Sequence, residues 1–201
     1  GPDRAVEHLE EIAKAAPGIV WVDMESSDYV DVTLDVFRTV RERVENVGVC
    51  IQAYLHRTAS DYEALLPLQP HLRLVKGAYM EPPDVAMPQK SQVDEAYRKL
   101  AIRMLRDRKA GRMGRPGIAT HDSRLVREVE RAAQELELSG EAWEVEMLYG
   151  IATGEQARLR RSGTPLRVLI SYGEHWFPWY MRRLAERPAN VGFVLRQMLK
   201  G

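Results

Sequence analysis

Two adjacent arginines near the end of the chain have types and spacing that suit the binding of a carboxylate. Arg182 and Arg183 follow an aromatic-rich stretch, residues 172–181, and Glu186 comes four positions after Arg182. Two guanidinium groups on one helix can clamp a carboxylate through directed, charge-assisted hydrogen bonds, and a glutamate at i+4 can orient one of them. The same spacing also fits an ordinary amphipathic helix with solvated charges, and spacing alone favours that simpler interpretation.

A second group of polar side chains falls at or just after six short apolar runs. Its members are Asp23, Glu25, Gln52, His56, Arg57, Lys76, Glu81, His121, Asp122, Glu146, Tyr149, Ser171 and Tyr172. Ligands of barrels and of open parallel sheets bind at the carboxyl ends of the strands. Any one of these residues alone could be a helix cap or lie in a solvated loop. Six polar strand ends together predict a binding site at that edge of a sheet.

The elements that must position these residues alternate between strands and helices. Apolar and β-branched runs predict strands at residues 19–24, 48–54, 72–78, 117–120, 142–148 and 166–170. Amphipathic patterns predict helices at residues 3–16, 31–45, 61–66, 91–108, 125–136 and 155–161, with two more at 175–186 and 189–199. Such strict alternation predicts an α/β fold with a parallel sheet.

Within that class, the sequence favours a barrel over a doubly wound sheet. It contains neither G-x-G-x-x-G nor G-x-x-x-x-G-K-[ST], the phosphate-binding signatures of nucleotide-binding open sheets. A closed barrel has eight strands and typically about 250 residues. Because only six strands are predicted here, we expect this chain to be a fragment or a gapped record of a longer protein, without the amino-terminal units of the barrel.

The composition excludes several broad classes. The 201 residues are 45% hydrophobic and 29% charged with a formal net charge of +0, so no basic field favours nucleic acid. The one cysteine, Cys50, excludes an intramolecular disulfide and indicates a reducing compartment. No apolar run approaches the roughly 20 residues of a membrane span.

Several motifs, in order along the chain, resemble those of the proline dehydrogenase family, whose members are flavin-dependent enzymes. Each motif is weak alone, but jointly they are specific and cover nearly the whole chain. They are VDME at 22–25, IQAY at 51–54, RLVKGAY at 73–79, ATHD at 119–122, EMLYG at 146–150, RRLAE at 182–186 and RPAN at 187–190.

This resemblance implies a distorted (β/α)₈ TIM barrel in which the present chain supplies strands 3–8 and the last helix lies over the barrel mouth. Residues 1–201 would then form a single, amino-terminally incomplete barrel domain. FAD would lie at the carboxyl ends of the strands. The implied reaction is hydride transfer from C5 of L-proline to flavin N5, giving 1-pyrroline-5-carboxylate in proline catabolism.

The resemblance also implies roles for individual residues. Arg182 and Arg183 would bind the substrate carboxylate, and Arg73 would lie near flavin N5 with Asp23 supporting the pocket by hydrogen bonding. Tyr79 and Leu148 would shape the substrate pocket. The residues expected to contact the flavin or its phosphate chain are Gln52, Arg73, Lys76, Gly77, Thr120, His121 and Glu186.

Three positions depart from the family pattern. Many members have tyrosine where this sequence has Leu169 and Trp179, both on the substrate side of the pocket. The loss of hydroxyl groups there leaves open whether the substrate is proline or a substituted cyclic imino acid such as hydroxyproline. Glu146 stands where glutamine is usual, and the sequence offers no account of that charge.

Partners follow only from the resemblance, which implies a membrane quinone as electron acceptor and a cytoplasmic protein that contacts the inner membrane peripherally. We expect no nucleic-acid partner, and a homo-oligomer is left open. Two rival interpretations are retained. One is an inactive fragment, and the other is a metal-dependent barrel hydrolase or isomerase. The candidate ligands of that metal are Asp23, Glu25, His121, Asp122 and Glu146.

Overall fold

Residues 1–174 are described by a computed structural model of the chain. Six strands alternate with helices along this part of the sequence. The strands are β1 (Val20–Val22), β2 (Val47–Gln52), β3 (His71–Val75), β4 (Pro116–Ala119), β5 (Glu144–Leu148) and β6 (Leu166–Leu169). The helices are α1 (Pro2–Ala15), α2 (Val30–Arg41), α3 (Thr58–Leu65), α4 (Lys90–Lys109), α5 (Ser123–Glu135) and α6 (Thr153–Ser162).

All six strands are parallel, and their order in the sheet is their order in the chain. The sheet curls into a half-barrel with helices packed on its outer side. The α/β, TIM-barrel-type fold predicted from the sequence is therefore confirmed. The two helices predicted at 175–186 and 189–199 lie outside the described residues.

The two faces of the sheet differ in chemistry because successive side chains of a strand point to opposite sides. On β5, Val145 and Met147 are buried in the apolar layer that packs against the helices. Glu144 and Glu146 alternate with them and therefore face the inside of the curl. The core thus lies between sheet and helices, and the concave face carries charged residues.

Glycines on the concave face make room for large side chains from neighbouring strands. A Cβ atom at Gly48 on β2 would stand 2.6 Å from the ring of Trp21 on β1. The Trp21 ring therefore lies directly over the β2 backbone. This close approach lets a large aromatic ring occupy the interior without pushing the strands apart.

Most differences between the predicted and observed elements concern strand ends. The third strand was predicted to run to residue 78, but β3 ends at Val75, and Gly77 has φ = 109°, which is incompatible with an extended strand. The second strand likewise ends at Gln52 rather than at residue 54. These earlier ends place Lys76 and Gly77 in the loop above the sheet edge.

The helix predicted at 31–45 is also shorter than expected. It begins after a 3₁₀ turn at Ser27–Tyr29 and ends at Arg41. Helix α5 has a clear start signal, because the Asp122 carboxylate accepts hydrogen bonds from the backbone N–H groups of Arg124 and Leu125. Within residues 1–174, no helix is both long enough and apolar enough to cross a membrane.

Candidate active site

A cavity of about 740 Å³ opens at the edge formed by the carboxyl ends of the strands. This volume falls within the range of about 300–1,000 Å³ that is typical of small-molecule sites. All ten sequence-predicted site residues that lie within residues 1–174 line it. They are Asp23, Gln52, Arg73, Lys76, Gly77, Tyr79, Thr120, His121, Leu148 and Leu169. The four remaining predicted residues, Trp179, Arg182, Arg183 and Glu186, lie outside the described part of the chain.

Arg73 bridges two widely separated strands at the bottom of this cavity. From β3, its Nε donates to Glu146 Oε2 on β5 at 2.5 Å, and its Nη1 donates to Asp23 Oδ1 after β1 at 2.9 Å. The guanidinium also lies over the Trp21 ring, 4.7 Å from its centroid, in a cation–π contact. Its Nη2 has no hydrogen-bond partner within residues 1–174. Arg73 is thus fixed in place with one nitrogen left for a ligand.

Glu146 is a buried carboxylate whose side chain is only 8% exposed. Oε2 pairs with Arg73, whereas Oε1 is buried with no partner among the residues that the structure describes. Burial raises the pKa of Glu146, although the nearby Arg73 acts in the opposite direction. The sequence analysis gave no account of the charge at this departure from the family pattern, and the structure provides a partner for it.

Lys76 lies in the wall of the cavity and is held by two carboxylates. Its Nζ bonds Asp94 on α4 and lies 3.0 Å from Asp122 Oδ2 at the start of α5. Asp94 also accepts hydrogen bonds from Lys90 and Arg124. Burial opposes ionisation of Asp94, but the hydrogen bonds from Lys76 and Lys90 outweigh it and lower the pKa. The result is a fixed cationic centre at the cavity wall.

Asp94 was missed at the sequence level because it looks like one more charge on an amphipathic helix. It is nevertheless buried on the same helical face as Tyr97 and Ala101, at spacings of three and seven residues. That periodic position within the apolar stripe was the available signal. A carboxylate in such a stripe requires a cation to face it, and Lys76 supplies one.

The backbone at Gly77 forms a bare surface beside Lys76. A Cβ atom at this position would stand 2.1 Å from Tyr54 Cδ1, and its φ of 109° lies in the left-handed region. Only glycine fits both constraints without strain. Burial raises the pKa of Tyr54 to about 12, so this ring packs as a neutral group.

Gln52 presents a buried amide at the end of β2. Its Nε2 donates to the backbone carbonyl of Glu25 at 3.2 Å, which fixes the orientation of the amide. Its Oε1 is buried and has no hydrogen-bond partner in the described part of the chain. An unpaired buried acceptor costs free energy, so a ligand N–H that reached it would be bound strongly.

Further predicted residues take their positions from the ends of β4 and β5. Thr120 Oγ1 accepts a hydrogen bond from the Asp122 backbone N–H at 3.1 Å. His121 Nε2 accepts one from the Leu148 N–H at 2.9 Å, so a neutral ring carries its proton on Nδ1. Leu148 in turn pairs in register with Leu169 on β6, and the two form an apolar section of the wall.

Tyr79 contributes its hydroxyl at the cavity mouth. The Tyr79 hydroxyl donates to the carboxylate of Glu25, which extends from the loop after β1. Glu81 lies two residues further on and accepts from the Ser27 backbone N–H at 2.7 Å and from its hydroxyl at 2.6 Å. These contacts join the loop after β3 to the loop after β1 and hold the mouth of the cavity in shape.

The whole sequence was compared with models of known protein families, and one family matches. The sequence profile described as "Proline dehydrogenase" matches residues 5–196. The chain belongs to the proline dehydrogenase family. The resemblance found on seven short motifs is therefore confirmed over nearly the whole chain.

Curated proline dehydrogenases are also similar across almost all of the present sequence. The proline dehydrogenase of Deinococcus radiodurans is 42% identical over 191 residues, which are 94% of this chain and 60% of that protein. Proline dehydrogenase 2 of Bacillus subtilis is 39% identical over 201 residues, covering 98% of this chain and 65% of the relative. The chain thus spans less than two thirds of the length of these relatives.

Solved structures agree on the fold of this proline dehydrogenase family member. Proline utilization A from Bdellovibrio bacteriovorus, inactivated by N-propargylglycine, superposes with a TM-score of 0.80 at 24% identity over 94% of this chain and 23% of its own. A Bradyrhizobium japonicum proline utilization A variant gives a TM-score of 0.74 at 26% identity, covering 89% and 20%. Both support the curled parallel sheet described above.

The rival metal-dependent interpretation gains no support from the geometry. Residues 1–174 contain no group of three or more His, Cys, Asp or Glu side chains that could hold a metal ion together. Asp23 and Glu146 are both engaged by Arg73, and Asp122 binds Lys76. These three carboxylates are therefore already engaged by cationic side chains of the chain itself.

Cys50 lies on the floor of the cavity but is not suited to nucleophilic chemistry. It is buried on β2, and burial raises the pKa of its thiol to about 12. A thiol with such a pKa is protonated at neutral pH, and only the thiolate is a strong nucleophile. The residue behaves as a small buried side chain.

Proposed function

We propose that the protein containing this chain oxidises L-proline to 1-pyrroline-5-carboxylate, with FAD as the hydride acceptor, in proline catabolism. The observation that carries this proposal is the convergence of ten residues, predicted from the family resemblance, on one cavity, in a chain whose family membership is shown. Neither part would suffice alone, because many chemistries share the barrel fold.

The residues of the cavity suit a flavin. Gln52 Oε1 is an unpaired buried acceptor of the kind that an N–H of an isoalloxazine ring can satisfy. The bare backbone at Gly77 allows a flat ring or a phosphate chain to approach closely. Lys76 offers a positive charge at the same wall for phosphate. When bound, the flavin would supply the two-electron acceptor that no amino-acid side chain provides.

The task of the chain itself would be orientation and electrostatics. Arg73 keeps a fixed cation at the floor, with Nη2 directed at no protein group among residues 1–174. A cation held in place before the reaction stabilises developing negative charge without reorganisation. Thr120 and His121, at the end of β4, would contact the cofactor, while Asp23 would support the pocket through Arg73.

The substrate side would be formed by Tyr79, Leu148 and Leu169 from the described chain, together with Trp179. Leu148 and Leu169 supply an apolar wall that suits the methylene groups of a pyrrolidine ring. Arg182 and Arg183 would bind the carboxylate, and Glu186 the cofactor. We also propose a membrane quinone as the final electron acceptor, reached by peripheral contact of a cytoplasmic protein with the inner membrane.

The test is an anaerobic titration of the purified full-length natural protein with L-proline, followed by visible absorption. We expect an oxidised FAD spectrum that bleaches on addition of proline, with pyrroline carboxylate formed in equal amount. Hydroxyproline serves as the comparison substrate, because the missing hydroxyl group at Leu169 leaves open which of the two compounds is oxidised. If hydroxyproline bleaches the flavin and proline does not, the substrate is hydroxyproline. If the protein takes up no FAD, the proposal is refuted.

A further inference from the structure

The charges around Arg73 do not cancel. One guanidinium faces two carboxylates, Asp23 at 2.9 Å and Glu146 at 2.5 Å. With all three groups ionised, the cluster carries one excess negative charge at the floor of the cavity. Asp23 is 51% exposed, so solvent screens it, whereas Glu146 is 8% exposed and keeps most of its field.

We propose that Glu146 is the positioning residue that holds the Arg73 guanidinium over Trp21, and that its charge sets the reduction potential of the flavin bound in this cavity. This inference rests on the proposed function. It extends that function by assigning the control of the potential to a residue for which the family resemblance implied no role.

The geometry favours Glu146 over its neighbours for this role. Glu144, one layer deeper on the same face of β5, is already matched by Arg167 at 2.7 Å and by Arg115 at 3.2 Å. Its charge is therefore neutralised away from the cavity. Glu146 has only the shared Arg73, and its Oε1 has no partner among residues 1–174.

Glu146 can also change its charge. Burial raises its pKa, and the charged groups that face it are Asp23 beside β1, Arg73 on β3, Glu144 on β5 and Arg167 on β6. Cys50 on β2 lies close by as a neutral thiol. A proton on Glu146 would sit on Oε1, because Oε2 accepts the Arg73 hydrogen bond. Protonation would turn the excess negative charge of the cluster into neutrality.

The experiment measures the two-electron midpoint potential of the flavin in the full-length protein for wild type, E146Q, E146D and E144Q. E146Q keeps the shape of the side chain and removes the charge, so we expect its potential to rise. The reduced-to-oxidised ratio at a fixed potential should grow roughly tenfold, which corresponds to ~30 mV. E146D keeps the charge and should stay closer to wild type.

The matched control is E144Q, which removes an equally buried carboxylate from the same face of the same strand. We expect it to lower stability while shifting the potential much less than E146Q. Equal shifts in E144Q and E146Q would overturn the proposal, because the effect would then come from interior charge in general. An unchanged potential in E146Q would overturn it as well.

Wild type alone provides a second readout that does not depend on whether a variant folds. The plot of potential against pH should change slope where Glu146 takes up its proton, and burial places that point above the usual range of a glutamate. A single unbroken slope over the pH range in which the protein stays folded refutes the proposal. Failure of the proposed function is distinguishable, since wild type would then bind no flavin or show no bleaching by proline.

Discussion

Gly117 lies directly against the carboxylate of Glu146: a Cβ atom at position 117 would stand 2.2 Å from Oε1. The two residues belong to the neighbouring strands β4 and β5 and share the concave face of the sheet. The missing side chain of Gly117 is what allows a carboxylate to be buried beside Arg73. This pair makes the charge arrangement of the site dependent on a residue that carries no charge.

The substitution Gly117→Ala is therefore expected to displace the Glu146 carboxylate. Because Glu146 is fixed by Arg73 and buried, we expect a destabilisation of about 1–3 kcal/mol, the usual cost of overpacking. Urea unfolding of G117A, E146A and the double variant measures it. If G117A costs as much in the E146A background as in wild type, the close contact is not the cause.

Replacement of Arg73 by lysine keeps the positive charge but removes the planar guanidinium group with its several N–H donors. Lysine cannot bond Asp23 and Glu146 in fixed directions and stack on Trp21 at once. We expect kcat/KM for proline to fall by at least about 100-fold, the penalty for a misplaced catalytic group. The control is R38K, which alters a half-buried arginine that pairs with the exposed Asp35 on α2 and does not line the cavity. Equal activity in R73K and wild type would contradict the role that we propose for Arg73.

Asp107 on α4 anchors the fold far from the cavity. It is fully buried and accepts hydrogen bonds from the Tyr62 hydroxyl at 2.6 Å and from Arg103 Nε at 2.8 Å, with Arg112 as a third donor. We expect D107N to lower the free energy of unfolding by about 1–3 kcal/mol, because the amide turns one buried acceptor into a donor that faces other donors. Urea unfolding checks this.

The matched control for that variant is D35N, which breaks an ion pair between the exposed Asp35 and the half-buried Arg38 of α2. The Asp35 side chain is 72% exposed, so we expect a change below about 1 kcal/mol. A loss in D107N no larger than the loss in D35N would mean that the buried cluster adds little to stability.

His71 at the start of β3 is expected to make stability depend on pH. Burial, together with Arg41, Arg108 and Arg115, lowers the pKa of His71 to about 4, and its Nδ1 accepts the Arg115 backbone N–H at 2.8 Å. Below an unfolded-state pKa near 6.5, the unfolded chain therefore binds more protons. The contribution of His71 to the free energy of unfolding should be fully present above pH ~6.5 and should decline as the pH falls toward the folded-state pKa of about 4.

The variant H71N keeps a side-chain acceptor for that N–H group but does not titrate. We expect its unfolding free energy to decline less than that of wild type between those two pKa values. H8N, which changes an exposed histidine on α1, is the control and should follow wild type. Parallel declines in H71N and wild type would exclude His71 as the source.

The sequence predicted the number, order and direction of the described strands because apolar β-branched runs are strong local signals. It predicted their ends less well, since local composition does not reveal backbone dihedrals. Val75 is followed by three residues that read as a continuation of the strand, yet Gly77 turns away with φ = 109°. That turn depends on packing against Tyr54, which is a tertiary contact.

The site was partly predictable for the same reason. Polar residues at strand ends gather at one edge in any parallel sheet, so their convergence followed from topology. The partners of those residues did not follow. Glu146 meets Arg73 only because the sheet curls enough for one side chain to connect β5 with the loop after β1. Curvature of that kind is a property of the whole sheet and leaves no mark on a local segment.

The sequential strand order, in which each strand pairs with the next one along the chain, bears on how the protein is made. Register partners such as Val145 and Leu166 are near each other in sequence, so each crossover unit can dock as soon as it leaves the ribosome. The half-barrel can grow by vectorial, co-translational addition, without waiting for distant segments. Within residues 1–174, the ligand-binding edge is then completed one strand at a time in the order of synthesis.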